Sequence, residues 1–260
     1  MKWVITAVPT WLVGTVLIIG LPALAVLIKV LMGRKAKSIN SGSHNDVAGF
    51  LVAIVAVVYA VVVGFTIVSL YEASATANQD ISIEAADLLQ LHYGNFVLGP
   101  TVSARIDGDV VRYARAVVDE WPSISEGNAS PQVQTSLNDV YATLAAYTPH
   151  TTAQADYLSQ SIDNVDTLSQ ARVARQLEAS ESGSLPLVLW LGILLTSLIT
   201  LAFALLFWLE DLRIAYAMVA GVAAVLAVNI FVLIELSYPF LGSVSVGPEK
   251  FEAVIRLVGG

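Results

Sequence analysis

Four stretches of the chain are free of Asp, Glu, Lys and Arg: residues 3–28, 47–71, 182–209 and 214–234. Each is long enough for a helix that crosses a bilayer, which takes about 20 apolar residues. Lys29 stands close enough to the end of the first stretch to snorkel to the interface. That stretch is longer than the ~7–15-residue apolar region of a signal peptide, and no small-residue cleavage site follows it. It predicts a retained anchor, kinked or loosened at Pro22.

Between the second and third stretches the pattern becomes amphipathic. Ala77, Ile81, Ala85, Leu88 and Leu89 recur at three- and four-residue steps, so span two continues as a helix until Gly94. Gly99-Pro100 marks a turn. Ile106, Val110, Tyr113, Val117 and Trp121 place a helix over 101–121, ended by Pro122. Ser130-Pro131 reads as an N-cap and first helical position, followed by Val133, Leu137, Val140 and Leu144. A fourth helix covers about 152–180, with Tyr157, Ile162, Val165, Leu168 and Leu177. No alternating strand pattern competes.

The expected fold is an all-α membrane protein, with four transmembrane helices and a helical soluble domain inserted between spans two and three. Residues 1–71 carry spans one and two, 72–183 the helical domain, and 184–236 spans three and four. Residues 237–260 form a tail with a short amphipathic helix.

Composition agrees with a membrane protein. Hydrophobic residues are 56% and charged residues 13% of the 260, against about 25% charged in soluble domains. The net charge of −8 argues against nucleic acid as a partner. Residues 72–183 hold 15 acidic and 5 basic residues, a net −10, while the rest of the chain carries +2. Arg34, Lys35 and Lys37 lie in the short loop between spans one and two, which the positive-inside rule keeps cytoplasmic. Residues 72–183 and both termini of this multi-pass cell-membrane protein then lie outside.

Little in the chain carries chemistry. There is no cysteine, and His44, His92 and His150 have no partner at ligand spacing. Nucleophile-elbow, zinc-protease, phosphate-loop and dinucleotide motifs are absent. No catalytic residue, metal or cofactor is expected, and the chain reads as no enzyme. Asn128-Ala129-Ser130 matches a glycosylation acceptor, a pattern short enough to arise by chance. Glu72, Asp80, Glu84 and Asp87 follow span two on one helix; they read as a solvated face before a divalent-cation site. Ala56, Ala60 and Gly64 form a small-residue stripe on span two, and span four carries Ala217, Ala220, Gly221 and Ala224. Such stripes let helices approach closely, within one subunit or between subunits. Asn229 needs a partner in hydrocarbon, and Thr66 and Ser69 can bond their own helix backbone.

Several short motifs recur in order along the chain. They are Asn45-Asp46 and Gly49, Glu84-Ala85, Glu120-Trp121-Pro122, Arg172 to Gln176-Leu177, and Leu185-Pro186 with Trp190. Tyr238-Pro239-Phe240, Gly242, Pro248 and Phe251 complete the set. This pattern resembles the bacterial branch of the bestrophin-like membrane proteins, over about 45–251. The resemblance implies a homo-oligomer, a pentamer in true bestrophins, with an axial anion pore lined largely by span two. It also implies cytosolic soluble helices, the reverse of the charge reading. The acidic calcium clasp of animal bestrophins has no recognisable counterpart in the sequence.

Two functions compete. One is an oligomeric bestrophin-like channel for small ions, lined by Tyr59, Thr66, Ser69 and Glu72, with Asp80, Glu84 and Asp87 as an acidic vestibule and a cation-leaning selectivity. The other is a non-conducting scaffold or sensor subunit whose extracytoplasmic helices bind a partner.

Overall fold

The computed structural model describes residues 9–35, 42–124, 130–181, 185–206, 211–240 and 245–259. Lys37 and the Asn128-Ala129 part of the acceptor motif lie outside the described residues, as do Gly183, Glu210 and Gly242. Of Arg34, Lys35, His44, Asn45 and Asp46 only the backbone is described.

Among the described residues there are helices and no strand. In chain order they are α1 (Thr10–Lys35), α2 (Gly42–Gly94), a 3-10 turn (Asn95–Leu98), α3 (Pro100–Ile124) and α4 (Pro131–Ala145). Then follow α5 (Thr152–Glu181), α6 (Leu187–Leu206), α7 (Leu212–Leu236) and α8 (Glu249–Gly259). Four are long and apolar enough to cross a membrane: α1, the first part of α2, α6 and α7. α2 has 53 residues. At ~1.5 Å per residue it is far longer than a ~30 Å hydrocarbon core. Its charge-free part before Glu72 is the portion suited to the bilayer.

α1 continues through Pro22, which a membrane helix tolerates because neighbouring groups re-satisfy the freed carbonyl. The other helical proline departs from the expectation. α3 does not stop at Pro122 but keeps it in its last turn. Ser130 caps α4 as its sequence predicts, its Oγ accepting from Gln132 N at 3.2 Å with Pro131 first in the helix. Asp211 caps α7, accepting from Arg213 N at 2.8 Å.

The helices fall into two units. The first comprises Met1–Glu72 and Gly183–Val244. In it α1 packs along α7, and α6 packs on both. Ala25 of α1 meets Val219 and Ala223 of α7 and Leu205 of α6. Tyr59 and Val63 of α2 join Trp190, Ile193, Leu226, Ile230 and Leu233 in a second cluster. The buried small residues of α7 are Ala215, Ala223 and Ala227, one helix face. Ala217 and Gly221 are exposed, and Ala220 and Ala224 half-buried. The small-residue stripe that builds this bundle is therefore a different one from the stripe singled out in the sequence. Gly14 lies against the Phe231 ring, where a Cβ would stand 3.0 Å from Cε2.

Several hydroxyls in this unit bond their own helix. Thr66, Thr196, Ser197 and Thr200 each donate to the carbonyl four residues back, at 2.7–2.8 Å. Lys29 does not snorkel: it is only 2% exposed, and its Nζ donates to Leu205 O at 2.6 Å. It thus caps the C-terminal end of α6, where a positive charge is favoured by the helix dipole.

The second unit comprises Ala73–Ser182 and Ser245–Gly260. α3 packs on α4 and α8, α5 packs on α4, and both α3 and α5 contact the 3-10 turn. The core includes Ile81, Leu88, Leu91, Ile106, Val110, Tyr113, Val117, Leu137, Leu144 and Leu168. Gly94 admits the Tyr157 ring, which would lie 2.6 Å from a Cβ there. Gly99 takes φ +88° in the turn before α3, a conformation that favours glycine. His92 Nδ1 and Asn95 Nδ2 both lie 2.7 Å from Asp107 Oδ1, and Ser103 Oγ donates to Asn95 Oδ1 at 2.6 Å. This set ties the end of α2 to the first turns of α3.

The α1–α7 seam generates a test. Replacing Ala223 by Leu overpacks the seam and costs about 1–3 kcal/mol. The same change at Ala217, which faces away, leaves stability within error. Thermal unfolding in detergent, followed by fluorescence-detected size exclusion, compares the two; equal midpoints would refute the packing.

Candidate functional site

The second unit is organised around a buried charge. Arg175 on α5 is fully buried. Its Nε donates to Glu84 Oε2 at 2.9 Å, its Nη2 to Glu84 Oε1 at 3.2 Å, and its Nη1 to Glu120 Oε1 at 3.3 Å. The fork geometry of a guanidinium matches a carboxylate in this two-point manner. Tyr113 on α3 completes Glu84, its hydroxyl donating to Oε1 at 2.7 Å. The backbone N–H of Ser130, the α4 cap, donates to Glu120 Oε2 at 2.6 Å. Trp121 and Phe251 place their rings 5.5 Å and 5.9 Å from Arg175 Cζ. Arg172, one turn earlier on α5, donates from Nη1 to Gln134 Oε1 on α4.

Five helices therefore converge on one guanidinium: α2 through Glu84, α3 through Tyr113 and Glu120, α4 through its cap, α5 through Arg175, and α8 through Phe251. Two carboxylates face the Arg175 guanidinium, and the Arg172 charge acts on the same Tyr113 phenol. Burial works against the Arg175 charge, but Glu84 above all, with Tyr113 and Glu120, raises its pKa above the ordinary value. Burial and the Glu84 carboxylate push the Tyr113 phenol well above its usual range, so it stays a donor. The cluster is electrostatically closed. It exposes no group to a substrate and has the character of a structural clamp.

The residues expected to form a vestibule do not share one environment. Glu84 is fully buried in the clamp, and Asp87 is buried as well. Burial within one chain can only increase on assembly, so neither presents a charge to a water-filled mouth. Asp80 is half-buried and Glu72 exposed. Burial raises the pKa of Asp80, and burial followed by Asp80 raises that of Glu178. Asp87 Oδ2 has no hydrogen-bond partner among the described residues, and burial pushes its carboxyl up to about 6. Among the described residues no three His, Asp or Glu side chains converge as metal ligands.

The expected pore residues also divide. At 100° per residue Tyr59 and Thr66 fall on one face of α2, and Ser69 and Glu72 are turned progressively away. Tyr59 is buried in the α6–α7 cluster, and the Thr66 hydroxyl is used by Val62 O. Ser69 and Glu72 are exposed. Ala56 is half-buried, while Ala60 and Gly64 are exposed, with nothing within 4 Å of a Cβ built on Gly64. Asn229 is half-buried on α7.

Sequence reasoning missed Arg175 as the centre and Glu120 and Tyr113 as its partners. A signal existed: Glu84-Ala85, Glu120-Trp121 and the Arg172–Leu177 segment all belong to the motifs quoted for the family resemblance, as does Phe251. Their convergence gives those scattered motifs one physical cause. A family model described as the Bestrophin-like domain matches residues 19–251, nearly the whole chain. No curated protein and no solved structure matches.

Two outcomes are expected. Glu84→Gln leaves the Arg175 charge half-paired and costs about 3–5 kcal/mol, and pairing it with Arg175→Met recovers much of that loss. Chemical denaturation of the four proteins in a double-mutant cycle checks it; additive losses would refute the clamp. Asp87→Asn tests the second point. A carboxyl whose folded-state pKa is raised opposes folding increasingly as pH climbs from its ordinary value, near 3.8, through about 6. The variant should gain thermal stability over wild type at pH 7.5 and lose that advantage by pH 4. A pH-independent difference would refute it.

Proposed function

The chain belongs to the bestrophin-like family and is a multi-pass membrane protein, and from that premise we propose that it forms an oligomeric channel for small ions. In this reading it is not an enzyme, and residues 73–182 form a helical soluble domain between spans two and three. The observation that carries the proposal is the outward face of α2. Val57, Val61, Gly64, Phe65, Val68 and Glu72 turn away from the helices of their own chain, Phe65 being 75% exposed. The carboxamide of Asn229 finds no partner among the described residues, and in hydrocarbon such a group seeks a neighbouring helix. Both features fit a helix bundle that is completed by other copies, five in number by the family's precedent.

The conduction path in this proposal follows Val61 and Val68 to Glu72, and not Tyr59 and Thr66, which are spent inside the bundle. An apolar constriction gates by dewetting and selects weakly. Glu72, repeated once per copy, adds negative potential at one mouth and tilts permeation toward cations. Asp80 is the one other carboxylate of the expected vestibule with part of its surface outside the core.

For orientation, Arg34, Lys35 and Lys37 favour a cytoplasmic loop between spans one and two. A reporter fused at Gly42 should then read cytoplasmic and one at Gly127 extracytoplasmic; the reverse readings reverse the topology. Gly64→Leu should reduce the oligomer to smaller particles by light scattering, since a single chain has room for the side chain and only a neighbour does not. An unchanged particle mass would count against that contact. In planar bilayers under a KCl gradient the reversal potential should lean toward K+ and move toward zero in Glu72→Gln. No current from a well-reconstituted preparation would transfer the assignment to a non-conducting scaffold.

A further inference from the structure

The part of α2 in the second unit, residues 73–94, carries its charge on the inner side. Its carboxylates are Asp80, Glu84 and Asp87. Glu84 and Asp87 are buried and Asp80 is half-buried. The outward face holds Ala75, Gln79, Ile83, Ala86, Gln90 and Tyr93 instead. At 100° per residue these six fall within about 80° of one another. Ile83 is half-buried and the others are exposed, Tyr93 by 63%. None of the six is charged. At the border of this face the Lys250 ammonium is held by Asn78 and Ser82.

α3, α5 and α8 behave as solvated helices do. α3 exposes Arg105, Arg112, Arg115 and Asp119, α5 exposes Asp156, Asp163 and Asp166, and α8 exposes Glu252 and Arg256. A helix that meets water turns charge outward and apolar groups inward. α2 does the reverse: it buries two carboxylates, one of them with an unpartnered oxygen, and leaves a neutral surface outside. That is the pattern of a helix with protein on both sides.

The charge of the unit decides which protein. Residues 72–183 carry a net −10. A basic partner gains most at the carboxylates of α5, and a neutral face offers it nothing. A partner that is itself acidic must avoid those carboxylates and meet the neutral face. A second copy of this chain is such a partner. Copies in one bilayer share an orientation, so the symmetry axis between them runs along the membrane normal. α2 of one copy then runs in the same sense as α2 of the next, with equal residues at equal height. About such an axis each side chain faces its own kind. A charge would meet the same charge, whereas alanine meets alanine, and a carboxamide, donor and acceptor at once, can bond its own copy.

We infer that residues 75–93 of α2 form a contact between copies of this chain, with Gln79, Ile83, Ala86 and Gln90 at its centre. The inference rests on the assembly of copies in the reading above, and not on their conducting.

The chain has no native cysteine, so single cysteines report the contact. Full-length Ala86→Cys and Gln79→Cys test the neutral face, and Arg105→Cys and Asp163→Cys, at exposed positions of α3 and α5, are the comparison. Each is treated in native membranes with copper phenanthroline and with a short bismaleimide, and cross-linked dimer is read on a non-reducing gel. Ala86→Cys and Gln79→Cys should give about tenfold more dimer than the comparison pair, since a disulfide needs Cα atoms within about 7 Å. Adding Ala86→Glu to Gln79→Cys sets like charges at one height and should cut its dimer about tenfold, with recovery in about 1 M salt. Yields no higher than those of the comparison pair with both reagents overturn the contact. So does a yield that Ala86→Glu leaves unchanged, or dimer from Asp163→Cys alone, which would move the interface to α5. Cross-links at 79 and 86 without current leave the contact standing and fail the channel reading. Current without those cross-links does the opposite, and a monomer by light scattering refutes both.

Discussion

A guanidinium with no access to water must find its counter-charges inside the protein, and that requirement at Arg175 fixes much of the second unit. Its partners lie 91 and 55 residues away in the chain. Meeting them brings α2, α3 and α5 to one point, and Ser130 and Phe251 add α4 and α8. The demand is specific to arginine. A lysine ammonium is a point charge and cannot bond both oxygens of Glu84 while also reaching Glu120. The cluster is therefore a specification of arrangement more than a source of stability. An apolar set of equal volume would often hold the helices as well, whereas losing one partner strands the other.

The membrane unit meets the problem differently. Four of its hydroxyls return to their own helix, as Thr66 does to Val62 and Ser197 to Ile193, and the Lys29 ammonium is met by a helix-end carbonyl. Its helices approach through alanines, Ala25 opposite Ala223, because there is no hydrophobic drive between apolar helices in lipid and close packing must supply the attraction. One chain thus contains two chemistries of cohesion. One is charge sealed from water, and the other is shape among uncharged surfaces.

What the sequence disclosed follows from this division. The four spans and the helices of 72–183 rest on local signals: charge-free length, three- and four-residue spacing, a Ser-Pro start. These were legible. Which face of a helix turns inward depends on partners distant in the chain, and the local pattern left it open. Ala217 and Gly221 read as a stripe for packing within or between subunits; within the chain they are exposed, and Ala223 packs with Ala25 of α1 instead. Glu84 was placed in water because carboxylates usually are. Its burial needs Arg175, whose pairing with it has no periodic signature. Pro122 was taken as a stop, yet α3 continues through it for two residues to Ile124, forgoing the one N–H that proline lacks. The family resemblance contained the missing information in scattered form, since most of its polar motifs are members of a single cluster.

Lys29 carries a consequence for synthesis. It donates to the carbonyl of Leu205, 176 residues later in the chain. When the first span leaves the ribosome, that carbonyl has not been made. A cation inside hydrocarbon is costly, and this bond cannot form until the third span arrives, so the final burial of the side chain waits on it. The order of translation then becomes an order of settlement: span one takes its final depth only after span three is in place. A chain cut short before residue 205 would carry an anchor that has not come to rest.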